Sequence, residues 1–183
     1  PLVRRGCEDL VEKIKNVSGI ETVGMTTNGV LLAEYAKALK EAGLDSVNVS
    51  LDTLDETEFQ RLTGRDELNA VLAGINAAKE AQIPVKINTV HYQHLDWKSI
   101  LDYTNRVQIP VRFIEMMPIG FGKQFPFQDE ESIKAVLEEA YGPMHAVNER
   151  YGNGPCHYYE IAGFKGKIGF ISAMTHKFCS QCN

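Results

Sequence analysis

A succession of short apolar runs, each long enough for one strand and separated from the next by a helical repeat, constrains this chain more than any other feature. Thr22-Val23-Gly24-Met25-Thr26-Thr27 precedes a predicted helix near 31–42, where Leu31, Leu32, Tyr35, Leu39 and Ala42 recur at helical spacing and Gly43 supplies the stop. Val47-Asn48-Val49-Ser50-Leu51-Asp52 is the next strand. Leu68, Val71, Leu72, Ile75 and Ala78 mark a helix over 68–81, and Pro84 turns the chain into Val85-Lys86-Ile87-Asn88-Thr89-Val90. Asp96 is placed to cap a helix through Ile100, Leu101 and Thr104, and Val111-Arg112-Phe113-Ile114-Glu115-Met116-Met117 follows as a strand. Strand, helix, strand at this rhythm requires right-handed crossovers and a parallel sheet, open or closed into a barrel.

Parity along these strands carries functional information. A parallel strand buried on both faces should be apolar on both, yet Val47, Val49 and Leu51 alternate with Asn48, Ser50 and Asp52, and Val85 and Ile87 with Lys86 and Asn88. One face packs under helices. The other carries amide, hydroxyl, carboxylate and ammonium groups, which cannot be left dry and unpaired. Either they satisfy one another in a small barrel, or they line a wider lumen that holds a polar ligand.

Beyond Met117 the pattern changes. Pro118 to Gly122 reads as a loop, and Asp129-Glu130-Glu131 opens a helix carrying Ile133, Val136, Leu137 and Ala140. Tyr158 to Ile161 and Lys167 to Ile171 form a predicted hairpin that leads to Cys179-Ser180-Gln181-Cys182. We place a boundary near 121, with residues 1–121 in the parallel part and 122–183 in a small α+β segment. Two thiolates do not complete a metal site, so the pair reads as half of one whose other ligands lie past residue 183. With no initiator Met and no signal region at the front, the sequence reads as the middle of a longer protein.

Net charge of −5 argues against nucleic acid or an anionic membrane as the main partner, and any anion must be held by local charge. No apolar run approaches the roughly 20 residues of a membrane span. Four unevenly placed cysteines suit a reducing compartment better than a disulfide-stapled module.

Taken in order, several segments closely resemble one family. They are Pro1-Leu2-Val3-Arg4-Arg5, Thr26-Thr27-Asn28-Gly29, Val47 to Asp52, Leu62-Thr63-Gly64-Arg65, Val85 to Val90, Phe113 to Gly120 and Phe178-Cys179-Ser180-Gln181-Cys182-Asn183. The chain resembles, from end to end, the GTP 3',8-cyclases of molybdenum cofactor biosynthesis, radical S-adenosylmethionine (SAM) enzymes. That resemblance implies an α/β fold, a partial TIM-type barrel to which residues 1–121 contribute about four strand-helix units. Residues 122–183 would then open the C-terminal region that leads to a second iron-sulfur cluster. It implies two 4Fe-4S clusters and SAM as cofactors, with only part of the second cluster's ligands present here. The three-cysteine motif of the first cluster would lie upstream, so this segment alone is expected to be inactive and to hold no catalytic residue.

By the same resemblance, Ser50 and Met117 match SAM-binding positions, Thr26 and Lys86 match GTP contacts, and Cys179 and Cys182 match ligands of the second cluster. Inward parity supports Ser50 and Lys86 independently. The activity implied converts GTP to 3',8-cyclo-7,8-dihydro-GTP through a 5'-deoxyadenosyl radical from SAM, which abstracts the ribose 3' hydrogen before the sugar attacks C8 of guanine. Partners implied are GTP, SAM, an electron donor, a second copy of the chain as a homodimer, and a downstream cyclic pyranopterin monophosphate synthase. The compartment implied is the cytoplasm, or the mitochondrion in a eukaryote. Cys7 and Cys156 match no ligand position and read as structural or surface thiols. The stretch His91 to Trp97 departs from the family, where a glycine-containing loop is usual.

Two other readings stay open on the residues alone. Lys86 on a barrel strand could be the nucleophile of a Schiff-base aldolase, or could sit in a buried ion pair with Asp52 or Glu115. The cysteine pair, with His176 nearby in sequence, could belong to a non-catalytic zinc- or nucleotide-binding module.

Overall fold

In the computed structural model, which describes residues 1–92, 96–126, 128–147 and 154–176, the chain divides inside a strand into two units, Pro1–Ile87 and Asn88–Asn183. The first unit runs α1 (Cys7–Lys15), β1 (Gly24–Thr27), α2 (Leu32–Glu41), β2 (Ser46–Ser50), α3 (Glu56–Thr63), α4 (Leu68–Glu80) and the start of β3 (Val85–His91). Strands β1 and β2 are parallel, with Gly24 opposite Ser46 and Thr27 opposite Val49. The strand order is β1-β2-β3, and the Val47 N–H reaches the Pro84 carbonyl at 2.9 Å.

Parity is expressed as burial. Val47 and Val49 are fully buried on β2 while Ser46, Asn48 and Ser50 are not, and Val85 and Ile87 are buried on β3 while Lys86 is half-buried. Helices cover the apolar face. A methyl group on Gly74 of α4 would overlap the Gly29 carbonyl and lie 3.0 Å from the Leu32 Cβ, so α2 and α4 approach closely only because position 74 has no side chain. Gly29 itself sits at φ 84, the left-handed turn that carries the chain from β1 into α2.

The second unit contains the end of β3, α5 (Trp97–Val107), β4 (Val111–Glu115), a 3₁₀ turn (Gly120–Gln124), α6 (Glu130–Tyr141), β5 (Met144–Val147), β6 (His157–Ile161) and β7 (Ile168–Ile171). Asp96 caps α5 by accepting the Ser99 N–H at 3.1 Å, and Asp129 caps α6 by accepting the Ser132 N–H at 2.9 Å. Here the order is β3-β4-β7-β6-β5, with β4 parallel to β7 and the hairpins β6-β7 and β5-β6 antiparallel. Phe113 and Phe170 stack across β4 and β7 with ring centroids 5.8 Å apart.

Helices α1 and α3 and strand β5 were not marked by the sequence pattern. Strands β2 and β4 also end at Ser50 and Glu115, short of the Asp52 and Met117 expected. Beyond each strand end, local bonds bend the chain away: Thr53 Oγ1 accepts the Asp55 N–H at 3.0 Å, and the Ile119 N–H reaches the Met117 carbonyl at 2.8 Å. Among the described residues no helix is long and apolar enough to cross a membrane.

Candidate functional site

The ends of β1 and β2 open on a cleft of about 530 Å³ in the first unit, lined by Leu2, Thr26, Asn28, Ser50, Arg65 and Glu67 among others. An adjoining cleft of about 240 Å³ shares Asn28, Ser50, Arg65 and Glu67 and continues past Asp52, Thr53 and Phe59. Both lie at the carboxyl ends of parallel strands, where ligands of α/β sheets bind, and the larger is in the size range of a cofactor or nucleotide site.

Each lining group has a local cause. Thr26 and Ser50 fall on the open parity of their strands, one residue from the buried Thr27 and Val49. The Asn48 amide donates to Thr26 Oγ1 at 3.2 Å, which occupies a lone pair and leaves the hydroxyl proton to point at a ligand. After β1, the Gly29 N–H donates to Thr27 Oγ1 at 3.2 Å and the Val30 N–H to Asn28 Oδ1 at 3.3 Å, shaping the turn that forms one wall.

Helix α3 supplies the other wall. Asp55 caps it by accepting the Glu58 N–H at 2.7 Å, and Gly64 ends it in a left-handed conformation at φ 72. That ending turns Arg65 and Glu67 to the cleft. Their charged groups are 3.6 Å apart and Arg65 is 72% exposed, so this pair is weak and the guanidinium is available to a ligand. Sequence reasoning assigned no role to Asn48, Arg65 or Glu67; the glycine after Thr63 was the one signal that the chain reverses there.

Of the residues implied by resemblance, Thr26 and Ser50 share the larger cleft. Lys86 is on the open parity of β3 and is not among the residues that line these two clefts. Met117 belongs to the second unit, 47% exposed, on a loop so tight that a methyl on Gly122 would overlap the Met117 carbonyl. Cys179 and Cys182 lie outside the described residues, as does part of the 91–97 stretch. Cys7 is buried and Cys156 half-buried. Glu115, one ion-pair partner weighed for Lys86, is occupied by the Met174 and Thr175 N–H groups at 2.7 and 3.1 Å.

Comparison with known proteins matches residues 1–107 to the Radical SAM superfamily and residues 109–183 to Molybdenum Cofactor Synthesis C. The chain is 43% identical over 186 residues to a GTP 3',8-cyclase of Clostridium perfringens (strain SM101). It is 40% identical over 189 residues to one of Thermodesulfovibrio yellowstonii, and 40% identical over 192 residues to one of Petrotoga mobilis. In each case all of this chain is covered, and it spans 58% of the relative's length.

Proposed function

The chain belongs to the radical SAM superfamily, and from that premise we propose that it is the central stretch of a GTP 3',8-cyclase of molybdenum cofactor biosynthesis. The observation that carries this reading is the convergence of Thr26 and Ser50 on one cleft of about 530 Å³ at the strand ends. Relatives that share 43% of its residues and bear that activity's name support it. In this reading residues 1–121 contribute to a partial TIM-type barrel and residues 122–183 begin the region of the second 4Fe-4S cluster.

Thiolates separated by two intervening residues are a donor set suited to iron-sulfur ligation, and Cys179 and Cys182 would hold part of that cluster. The bound clusters and SAM supply the one-electron chemistry that no side chain here can start. The chain's own groups bind and orient. The Ser50 hydroxyl and Met117 position SAM, Thr26 donates its hydroxyl proton to GTP, and Lys86 offers phosphate an ammonium in a protein of net charge −5. An electron donor, a second copy of the chain and an enzyme that consumes the cyclised nucleotide, a cyclic pyranopterin monophosphate synthase, complete the proposal, set in the cytoplasm or, in a eukaryote, the mitochondrion.

The test is a pair of substitutions in the full-length protein. Lys86→Ala removes a charge-assisted contact, typically about 1.5–3 kcal/mol, so GTP binding should weaken roughly ten- to a hundredfold. SAM binding should hold. Ser50→Ala should weaken SAM and leave GTP nearly untouched. Calorimetric titration of both ligands reads the result, and the opposite pattern of losses would overturn the assignment.

A further inference from the structure

Glu115 ends β4 on the same parity as Val111 and Phe113, and is only 2% exposed. A carboxylate on the apolar side of a strand is costly unless its oxygens are fully occupied. They are. Oε2 accepts the N–H groups of Met174 and Thr175 at 2.7 and 3.1 Å, and Oε1 accepts the Thr175 hydroxyl.

A second buried acid acts on the same turn. Glu130, the first residue of α6 and 3% exposed, accepts the Ser172 hydroxyl, the Tyr159 hydroxyl at 3.3 Å and the Lys134 ammonium at 3.0 Å. Acids from β4 and α6 therefore hold the turn after β7 at Ser172, Met174 and Thr175. The His176 N–H closes that turn on the Ser172 carbonyl at 3.0 Å.

Beyond the buried Ser172, the turn so held contributes little to the core. Met174 is 38% exposed, and Thr175 and His176 are exposed as well. Apolar packing would secure such a segment at lower cost than two desolvated carboxylates, whereas hydrogen bonds fix it in direction and register. What gains from a fixed exit point is the next stretch of sequence, which carries Cys179 and Cys182.

We propose that Glu115 and Glu130 are positioning residues for the cysteine pair, a two-point clamp that sets where the chain enters the cluster-binding segment. This rests on the reading of those cysteines as cluster ligands. In the full-length, anaerobically reconstituted protein, Thr175→Val removes the hydroxyl bond while keeping the branched shape, Thr175→Ser restores the bond, and Glu115→Leu removes the acceptor of both N–H groups. Thr175→Val and Glu115→Leu should lose or shift the second cluster's paramagnetic resonance signal. In the metal-free protein, alkylation of Cys179 and Cys182 by iodoacetamide, followed by mass spectrometry, should be faster in both. Thr175→Ser should match the parent in each readout, and Thr175→Val, whose unfolding midpoint falls because Glu115 Oε1 loses a bond, should still be folded at the assay temperature. Parental signal and alkylation rates in Thr175→Val, or a loss that Thr175→Ser fails to rescue, overturns the clamp. Undiminished iron in Cys179→Ser would sink the cluster reading instead, and the metal-free alkylation rates would still decide the clamp.

Discussion

His91 is a buried titratable side chain at the end of β3. It is 3% exposed, and neither ring nitrogen has a hydrogen-bond partner among the described residues. Burial pushes its pKa down to about 4 from 6.5, against the pull of the Glu115, Asp129 and Glu130 carboxylates. A folded value below the unfolded one means the unfolded chain takes the proton first. The stability at stake, about 3 kcal/mol at most, is fully present above pH 6.5 and lost as pH falls toward about 4. Urea midpoints at pH 7 and pH 5 should differ clearly for the parent and much less for His91→Leu; equal differences would contradict this account. Glu130 acts in a more acidic window. Burial pushes its carboxyl up, but the hydrogen bonds from Ser172 and Lys134 and the charges of Lys134 and His176 outweigh that and hold it low. Its contribution is present above its ordinary value of 4.5 and is lost only as the pH falls below that.

Contact between α2 and α4 shows what a missing side chain does for an element. Because a methyl at Gly74 would overlap the Gly29 carbonyl, Gly74→Ala must push α4 away from the turn that forms one wall of the cleft. The helix would gain intrinsic propensity of up to about 1 kcal/mol from alanine, so a net loss understates the clash by that amount. Overpacking of this kind typically costs about 1–3 kcal/mol, and it should lower the urea midpoint and weaken any ligand held by Thr26 and Asn28. A midpoint at or above the parent's would show that α4 relaxes freely. Helix α3 is positioned differently. It buries Phe59 alone and depends on its cap at Asp55 and its stop at Gly64, yet it brings Arg65 and Glu67 to the cleft.

For the whole molecule, the proposed chemistry is checked by counting metal. If two 4Fe-4S clusters are present, Cys179→Ser in the full-length protein should remove about four irons per chain and leave about four. Inductively coupled plasma analysis decides it. Zinc at about one per chain without iron would favour the structural zinc module.

The alternation of apolar runs and helical repeats determined the parallel α/β arrangement, because strand and helix periods are local properties that short windows of sequence carry. Parity likewise put Val47 and Val49 in the core and Asn48 and Ser50 on the open side before any contact was known. Helix α3 was illegible for the converse reason: one buried phenylalanine makes no stripe, and caps mark where a helix ends only once it is known to exist. Tertiary structure alone decided that Arg65 and Glu67 meet Ser50 and that Lys86 lies outside the lining of that cleft. It alone joined Glu115 to residues 174 and 175, across a sequence separation of 59 to 60. A side chain's face is set by its own strand or helix, whereas its partner is set by how distant elements cross and pair, and that geometry is not written in any one stretch of the chain.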